Sequence, residues 1–347
     1  MKILYILSQY RVCERILPTI PVLKEEFDLD CLLVYQMKSD HRWPGNDDLR
    51  RSFFREYSSY FSTVTEDINL LDYRNYDLII SDDNRDTPKT NLRHIYQKKN
   101  CIMVGCYHGA GEKWNNFEFI ESVYGKVLDK CFVMGKSDVT SNISVPMGIP
   151  SNDKLYQYQG NDKKHILVIV NFLGNRSCPF DIKVNDKFIE EVDFSYIQNK
   201  FDNLVIIFKL KSRADEGLNG FLNNKKYLQS LLKGQKIKYK IVCDIKDLDG
   251  LIADSAFVLS APSTLAYKSI QLGIPTVLIK DSGQLGNFGE FKGLVEFDKE
   301  KIKNKIDEMV ENPKDVDFIE NTVEGGLDFN STEIFLNEIR NILYGEM

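Results

Sequence analysis

At 347 residues the chain is long for one domain and comfortable for two of about 150–175 residues each. A formal net charge of −6 argues against a general nucleic-acid binder, and no run approaches the roughly 20 apolar residues of a membrane span. The seven cysteines are odd in number and form no CxxC pair, which argues against a disulfide framework or a zinc site and for reduced core thiols.

In chain order, short apolar runs read as strands at Ile3–Leu7, Cys31–Tyr35, Leu78–Ile80, Ile102–Cys106 and Cys131–Met134. A second series follows at Ile166–Val170, Leu204–Phe208, Lys240–Cys243, Phe257–Leu259 and Thr276–Ile279. Helical patterns lie between most of them: Glu14–Phe27, broken by Pro18 and Pro21, then Asp48–Phe61, Thr90–Lys99 and Phe117–Leu128. In the second half they are Asp186–Phe201, Lys225–Leu232, Ile245–Ala253 and Leu265–Leu272, with Lys299–Glu311 and Thr332–Leu343 after the last strand. Alternating strands and helices imply parallel sheets with crossover helices, hence an α/β class. The polar, turn-forming stretch Ile149–Lys164 separates the two series. It predicts an N-terminal Rossmann-like domain over residues 1–155, a C-terminal one over 156–330, and a helix over 331–347 that packs back on the first domain. Two such sheets would face a central cleft at the carboxyl ends of their strands. The opening run Met1–Ser8 is too short for a signal peptide and fits a first strand, so a cytoplasmic location is expected.

Five clusters carry chemistry. Ser260-Ala261-Pro262-Ser263-Thr264 joins a strand to a helix. A helix N-terminus offers unpaired N–H groups and partial positive charge, so Ser263 and Thr264 are candidate phosphate ligands; the plain alternative is an ordinary N-cap. Cys106-Tyr107-His108-Gly109-Ala110-Gly111-Glu112-Lys113 follows a strand end. There His108 suits a general base, Gly109 and Gly111 allow close backbone approach, and Lys113 adds a cation; a Gly-rich turn with an exposed histidine is the alternative. Lys209, Lys211 and Arg213 end another strand and suit a diphosphate, or form a solvated basic loop. Ser81-Asp82-Asp83-Asn84 offers Asp82 as a catalytic base or half of a metal-binding pair, against a loop that caps the next helix. Asp48–Phe61 mixes aromatic residues with Arg50, Arg51 and Arg55. It fits the packing of an amphipathic helix better than contact with a lipid-linked acceptor or membrane surface.

Together these pieces resemble two-domain nucleotide-sugar transferases of the GT-B fold, and within them the CDP-glycerol glycerophosphotransferase family of teichoic-acid and capsule assembly. Tyr107-His108-Gly109-Ala110-Gly111-Glu112-Lys113 is similar to that family's aromatic-His-Gly-x-x-x-Lys motif. Met147-Gly148-Ile149-Pro150-Ser151-Asn152-Asp153 is similar to its Gly-Tyr-Pro-x-x-Asp segment, and Asp247–Ile279 to the donor-binding region. The likeness runs from Cys101 to Lys280. It departs from the family at Lys209-Leu210-Lys211-Ser212, where relatives have Lys-Pro-His-Pro, and at Ser260–Thr264, where they have Ser-Asp-Tyr-Ser-Ser. Lys268 stands where many GT-B sugar transferases carry a ribose-binding glutamate.

The resemblance implies a metal-independent glycosyltransferase that builds a cell-surface polysaccharide of capsule, O-antigen or teichoic-acid type. Its partners would be a nucleotide-diphosphate or nucleotide-monophosphate sugar donor and a glycan or lipid-linked acceptor. Peripheral association at the inner face of the membrane is a further expectation; nucleic acid, metal and cofactor are not expected. His108 and Asp82 would be catalytic. Ser263, Thr264, Lys209, Arg213 and Lys268 would hold the donor phosphates, with Gly109, Gly111 and Lys113. Two alternatives stay open: transfer of a polyol phosphate from a CDP carrier, and a non-catalytic nucleotide-sugar-binding protein on the same fold.

Overall fold

The computed structural model describes residues 1–9, 13–38, 46–84, 90–107, 126–170, 188–190, 192–210, 217–243, 245, 247–261, 263–280 and 288–345. The chain divides into two compact units. Unit 1 comprises Met1–Lys154 with Ile319–Met347, and unit 2 comprises Leu155–Phe318.

Unit 1 is built on a seven-stranded parallel sheet. Its strands are β1 (Lys2–Leu7), β2 (Asp28–Leu33), β3 (Thr63–Thr65), β4 (Leu78–Ser81), β5 (Ile102–Cys106), β6 (Lys130–Val133) and β7 (Ser144–Pro146), in the spatial order β3-β2-β1-β4-β5-β6-β7. Central strands read as continuous apolar runs because both faces are covered: Ile3 to Leu7 are all fully buried. One face holds Leu4, Ile6, Leu32, Ile79, Met103, Cys131 and Val133 in a single core cluster. The three described helices of the first part are α1 (Thr19–Lys24), α2 (Asn46–Glu56) and α3 (Leu92–Lys98).

Unit 2 repeats the plan with six parallel strands. They are β8 (His165–Val170), β9 (Val205–Leu210), β10 (Tyr239–Val242), β11 (Ser255–Ser260), β12 (Thr276–Ile279) and β13 (Leu294–Val295), in the order β10-β9-β8-β11-β12-β13. Its helices are α4 (Phe194–Lys200), α5 (Gly217–Leu231), α6 (Leu248–Ala253), α7 (Thr264–Gln271) and α8 (Lys299–Glu311). Leu167, Ile169, Ile252, Val258 and Ile274 form the core between the sheet and α6–α7, with Leu265 and Leu272 packed against it.

Helix α9 (Val316–Thr322) carries the chain from unit 2 to unit 1, and α10 (Ser331–Tyr344) ends it. Phe335 of α10 meets Phe132 of β6 edge-on at 5.1 Å, and Tyr344 lies 6.4 Å from Phe27. Asp153 caps α10: its carboxylate accepts from the Ser331 and Thr332 N–H groups at 3.0 and 2.6 Å, two of the orphan donors of a helix start. Gly148 makes this joint possible. It sits at φ +77°, and a Cβ there would lie 2.1 Å from the Glu324 carbonyl.

All ten strands read from the sequence are present with adjusted ends. Some expectations fail locally. The helix expected over Glu14–Phe27 is regular only over Thr19–Lys24. The helix expected over Asp48–Phe61 ends at Glu56, with a 3-10 turn at Ser58–Tyr60. Phe53 and Phe61 are buried and Arg50 pairs with Glu66 at 2.6 Å, so this segment packs as core. Within the stretch expected as a linker, Pro150–Tyr158 is a 3-10 helical segment. Cys13, Cys31, Cys106 and Cys131 are buried free thiols, while Cys101 and Cys243 are half-buried. The expected helix Phe117–Leu128 lies outside the described residues up to position 125, and Lys126–Leu128 are not helical.

Candidate functional site

In a doubly wound sheet, loops diverge at the carboxyl ends of the two strands where the strand order reverses, and ligands bind there. In unit 2 those strands are β8 and β11. The register places Lys209 of β9 opposite Ile169 of β8, and Ile169 opposite Ser260 of β11. Residues in one row of a parallel sheet point to one face, here the face covered by α6 and α7. Lys209 and Ser260 therefore share a face two strands apart, about 10 Å between backbones. That distance is within reach of a lysine side chain and a diphosphate between them.

Ser260 leads directly into the turn before α7. Ser263 is the N-cap, with extended backbone (φ −153°, ψ 143°), and its Oγ accepts from the Leu265 N–H at a long 3.4 Å. Such a bond is at the outer limit of useful geometry, so the hydroxyl and the amide keep most of their capacity for another partner. Thr264, the first helical residue, is exposed. Behind the turn the helix is firmly seated. Ala266, Tyr267 and Ile270 are buried, and the Tyr267 ring stacks on Phe288 at 4.5 Å and on Phe318 at 6.0 Å. Lys268 was expected at the donor phosphates. In the structure its ammonium contacts Asp249 of α6 at 2.5 Å, and both side chains are largely buried. That ion pair braces α7 against α6.

Unit 1 reverses its strand order between β1 and β4. Asp82 follows β4 and is 1% exposed. Its carboxylate accepts from the Ser8 N–H and hydroxyl, both at 2.8 Å, and from the Gln9 N–H at 3.3 Å. Asp82 thus ties the end of β4 to the end of β1. Burial pushes its carboxyl up to about 7, buried Asp83 beside it adds to the rise, and the Ser8 and Gln9 donors pull against it. A carboxyl that titrates near neutrality is poised for proton transfer.

One strand over, Tyr107 follows β5. The Arg15 guanidinium lies 4.9 Å from the centre of its ring and donates to its carbonyl at 2.9 Å. Sequence reasoning missed Ser8 as a partner of Asp82, and the contact of Arg15 with Tyr107. Ser8 closes the first apolar run just as Asp82 closes the third, which was the available signal; their adjacency depends on the strand order. His108, Gly109, Gly111, Lys113 and Arg213 lie outside the described residues. Among the described residues, no group of three or more His, Cys, Asp or Glu is placed to hold a metal ion. No described helix is long and apolar enough to cross a membrane.

The chain resembles solved structures along nearly its whole length. S. aureus MnaA, solved with UDP, matches at 14% identity with a TM-score of 0.62, over 99% of this chain and 97% of its own. The UDP-GlcNAc 2-epimerase of Neisseria meningitidis, solved with UDP-GlcNAc, matches at 14% identity with a TM-score of 0.61, over 98% and 99%. A glycosyltransferase of Rickettsia africae matches at 11% identity with a TM-score of 0.57, over 99% of each chain. At these identities the likeness is one of fold: a two-domain α/β fold of GT-B type. No protein-family profile matches the chain, and no curated protein matches it by sequence.

Proposed function

We propose that this protein is an enzyme acting on a nucleotide-activated sugar, and that it transfers the sugar to a hydroxyl of a glycan or lipid-linked acceptor. The observation that carries the reading is the arrangement in unit 2: Lys209 shares a sheet row with Ser260, whose turn opens into the α7 N-terminus. Ser263 and Thr264 would bind the diphosphate with their hydroxyls and first-turn amides, and Lys209 would offset its charge. As the bond to the sugar breaks, negative charge grows on the leaving phosphate. Fixed amides, a helix dipole and a lysine stabilise that charge without reorganising. Asp82 in unit 1, titrating near 7, has the proton affinity required of a base for an acceptor hydroxyl. The wholly sequence-based expectation for His108 is the same role.

The test is titration calorimetry with UDP, CDP and GDP. One should bind, and Ser263→Ala with Thr264→Ala should weaken it by about tenfold, the worth of one or two charge-assisted hydrogen bonds. Unchanged affinity in the double variant would reject the seat.

A second reading is favoured by the solved neighbours that are UDP-GlcNAc 2-epimerases: inversion of one sugar carbon with no acceptor. Proton NMR of the wild-type protein with UDP-GlcNAc alone decides between them. A new epimer without acceptor establishes the second reading. Glycerol-phosphate transfer needs CDP-glycerol to bind in the same titrations, and its failure to do so removes that option.

A further inference from the structure

We propose that the β10 edge of unit 2, together with the outer side of α5, docks on an anionic lipid surface. Residues 217–243 hold six lysines, at 225, 226, 233, 236, 238 and 240, with no arginine and no acidic residue, in a chain whose acidic residues outnumber the basic ones 51 to 45. Elsewhere in unit 2, Lys164, Lys200, Lys268, Lys301 and Lys305 each contact a carboxylate. Among the described residues none of the six does.

The lysines are placed, not merely clustered in sequence. Helix α5 buries Leu228, and Leu232 just beyond it, against the unit. Its opposite side carries Leu222 and Lys226, one turn apart on a shared helical face, and exposed Lys233 follows in the turn after the helix. Leu222 is 41% exposed and Tyr227, beside that stripe, is 37% exposed. Strand β10, which follows, is the outermost strand of its sheet. Lys238 and Lys240 are exposed at that edge. Lysines on an edge strand also prevent strand pairing between molecules, which accounts for these two alone. It does not account for Lys226 and exposed Leu222 on the helix, or for Lys233 in the turn after it.

The chemistry favours lipid. Lysine ammoniums are point charges suited to the diffuse potential of an anionic leaflet, where each basic residue adds to binding. Bidentate recognition of phosphates and base edges in nucleic acid favours arginine forks, and no arginine is present in this segment. Leucine and tyrosine between the charges supply apolar surface that can sink below the headgroups. None of these residues belongs to the nucleotide seat, so the two proposals stand or fall separately.

The experiment is vesicle flotation of the full chain at low salt. Vesicles of phosphatidylcholine with about 30% phosphatidylglycerol should carry the protein, neutral phosphatidylcholine vesicles should not, and salt of about 0.5 M should release it. Lys226→Glu, Lys233→Glu and Lys240→Glu together should weaken binding by at least about tenfold. The same three-charge change at Lys98, Lys126 and Lys299 should leave it within about twofold. Circular dichroism on both triple variants checks that they fold, and Leu222→Ser, a milder change, should also weaken binding. No binding to anionic vesicles, equal loss in the two triple variants, or tighter binding to a duplex RNA than to the vesicles would overturn the proposal.

Discussion

The two units share one topology and use its reversal point in opposite ways. In unit 2, the end of β11 leads into a helix start with two hydroxyls, and Lys209 lies on the same sheet face as Ser260. In unit 1, the equivalent ends of β1 and β4 are already joined by the chain's own carboxylate, with Asp82 taking the N–H groups of Ser8 and Gln9. Two successive backbone N–H groups make a small anion nest. Unit 1 fills that nest internally; under the proposed function, the start of α7 in unit 2 would take the ligand's phosphates instead. On that proposal the same fold supplies an anion seat in one unit and, in the other, a buried carboxyl raised to about 7.

The sharpest way to break the contrast is to make unit 2 resemble unit 1. Ser263→Asp keeps a good N-cap but puts a carboxylate in the proposed phosphate seat. At about 4 Å in a partly buried site, like-charge repulsion predicts a loss of nucleotide affinity of about 100-fold or more by calorimetry, with the melting temperature nearly unchanged.

The next effect is on unit 1. Asp82→Ala orphans buried donors and should cost about 2 kcal/mol in urea unfolding. Asp82→Asn can still accept from both N–H groups and donate to the Ser8 hydroxyl, so it should retain the fold. The folded pKa of Asp82 is raised, to about 7, above that of the unfolded chain. The native state therefore holds a proton that the unfolded chain releases. That contribution is fully present below about pH 4 and is lost as pH rises through 7. Asp82→Asn should gain stability on the wild type between pH 5 and 8; parallel stability curves would contradict the assigned environment.

Breaking the brace behind the seat should have a separable effect. Asp249→Ala leaves Lys268 without its buried partner and should lower stability by about 2 kcal/mol, with only a modest change in nucleotide affinity. Lys209→Met is smallest: about a fivefold loss of affinity with stability held, the worth of one cation on a diphosphate at a hydrated strand end.

What the sequence shows and hides follows from the same physics. The strands at the centre of each sheet are legible because residues such as those of Ile3–Leu7 and Leu167–Val170 are buried on both faces and form unbroken apolar runs. The missed strands, Thr63–Thr65, Ser144–Pro146 and Leu294–Val295, lie at sheet edges. They are two or three residues long and half-solvated, and one contains a proline that an edge tolerates. Ser263 was legible because an N-cap is a local signal. The Ser8–Asp82 tie joins residues 74 positions apart, and the Lys268–Asp249 pair joins two helices on either side of a strand. Neither is local, so neither the Ser8 partner of Asp82 nor the Asp249 partner of Lys268 was legible in the sequence.

The central claim is that the nucleotide sits at the start of α7. Hydrogen exchange on the wild-type chain, with and without the tightest binder among UDP, CDP and GDP, tests it directly. The account predicts slowed exchange at the amides of Thr264 and Leu265, with no change at Ser8, Gln9 or Asp82. Protection at Ser8 and Gln9, with none at Thr264 and Leu265, would contradict it.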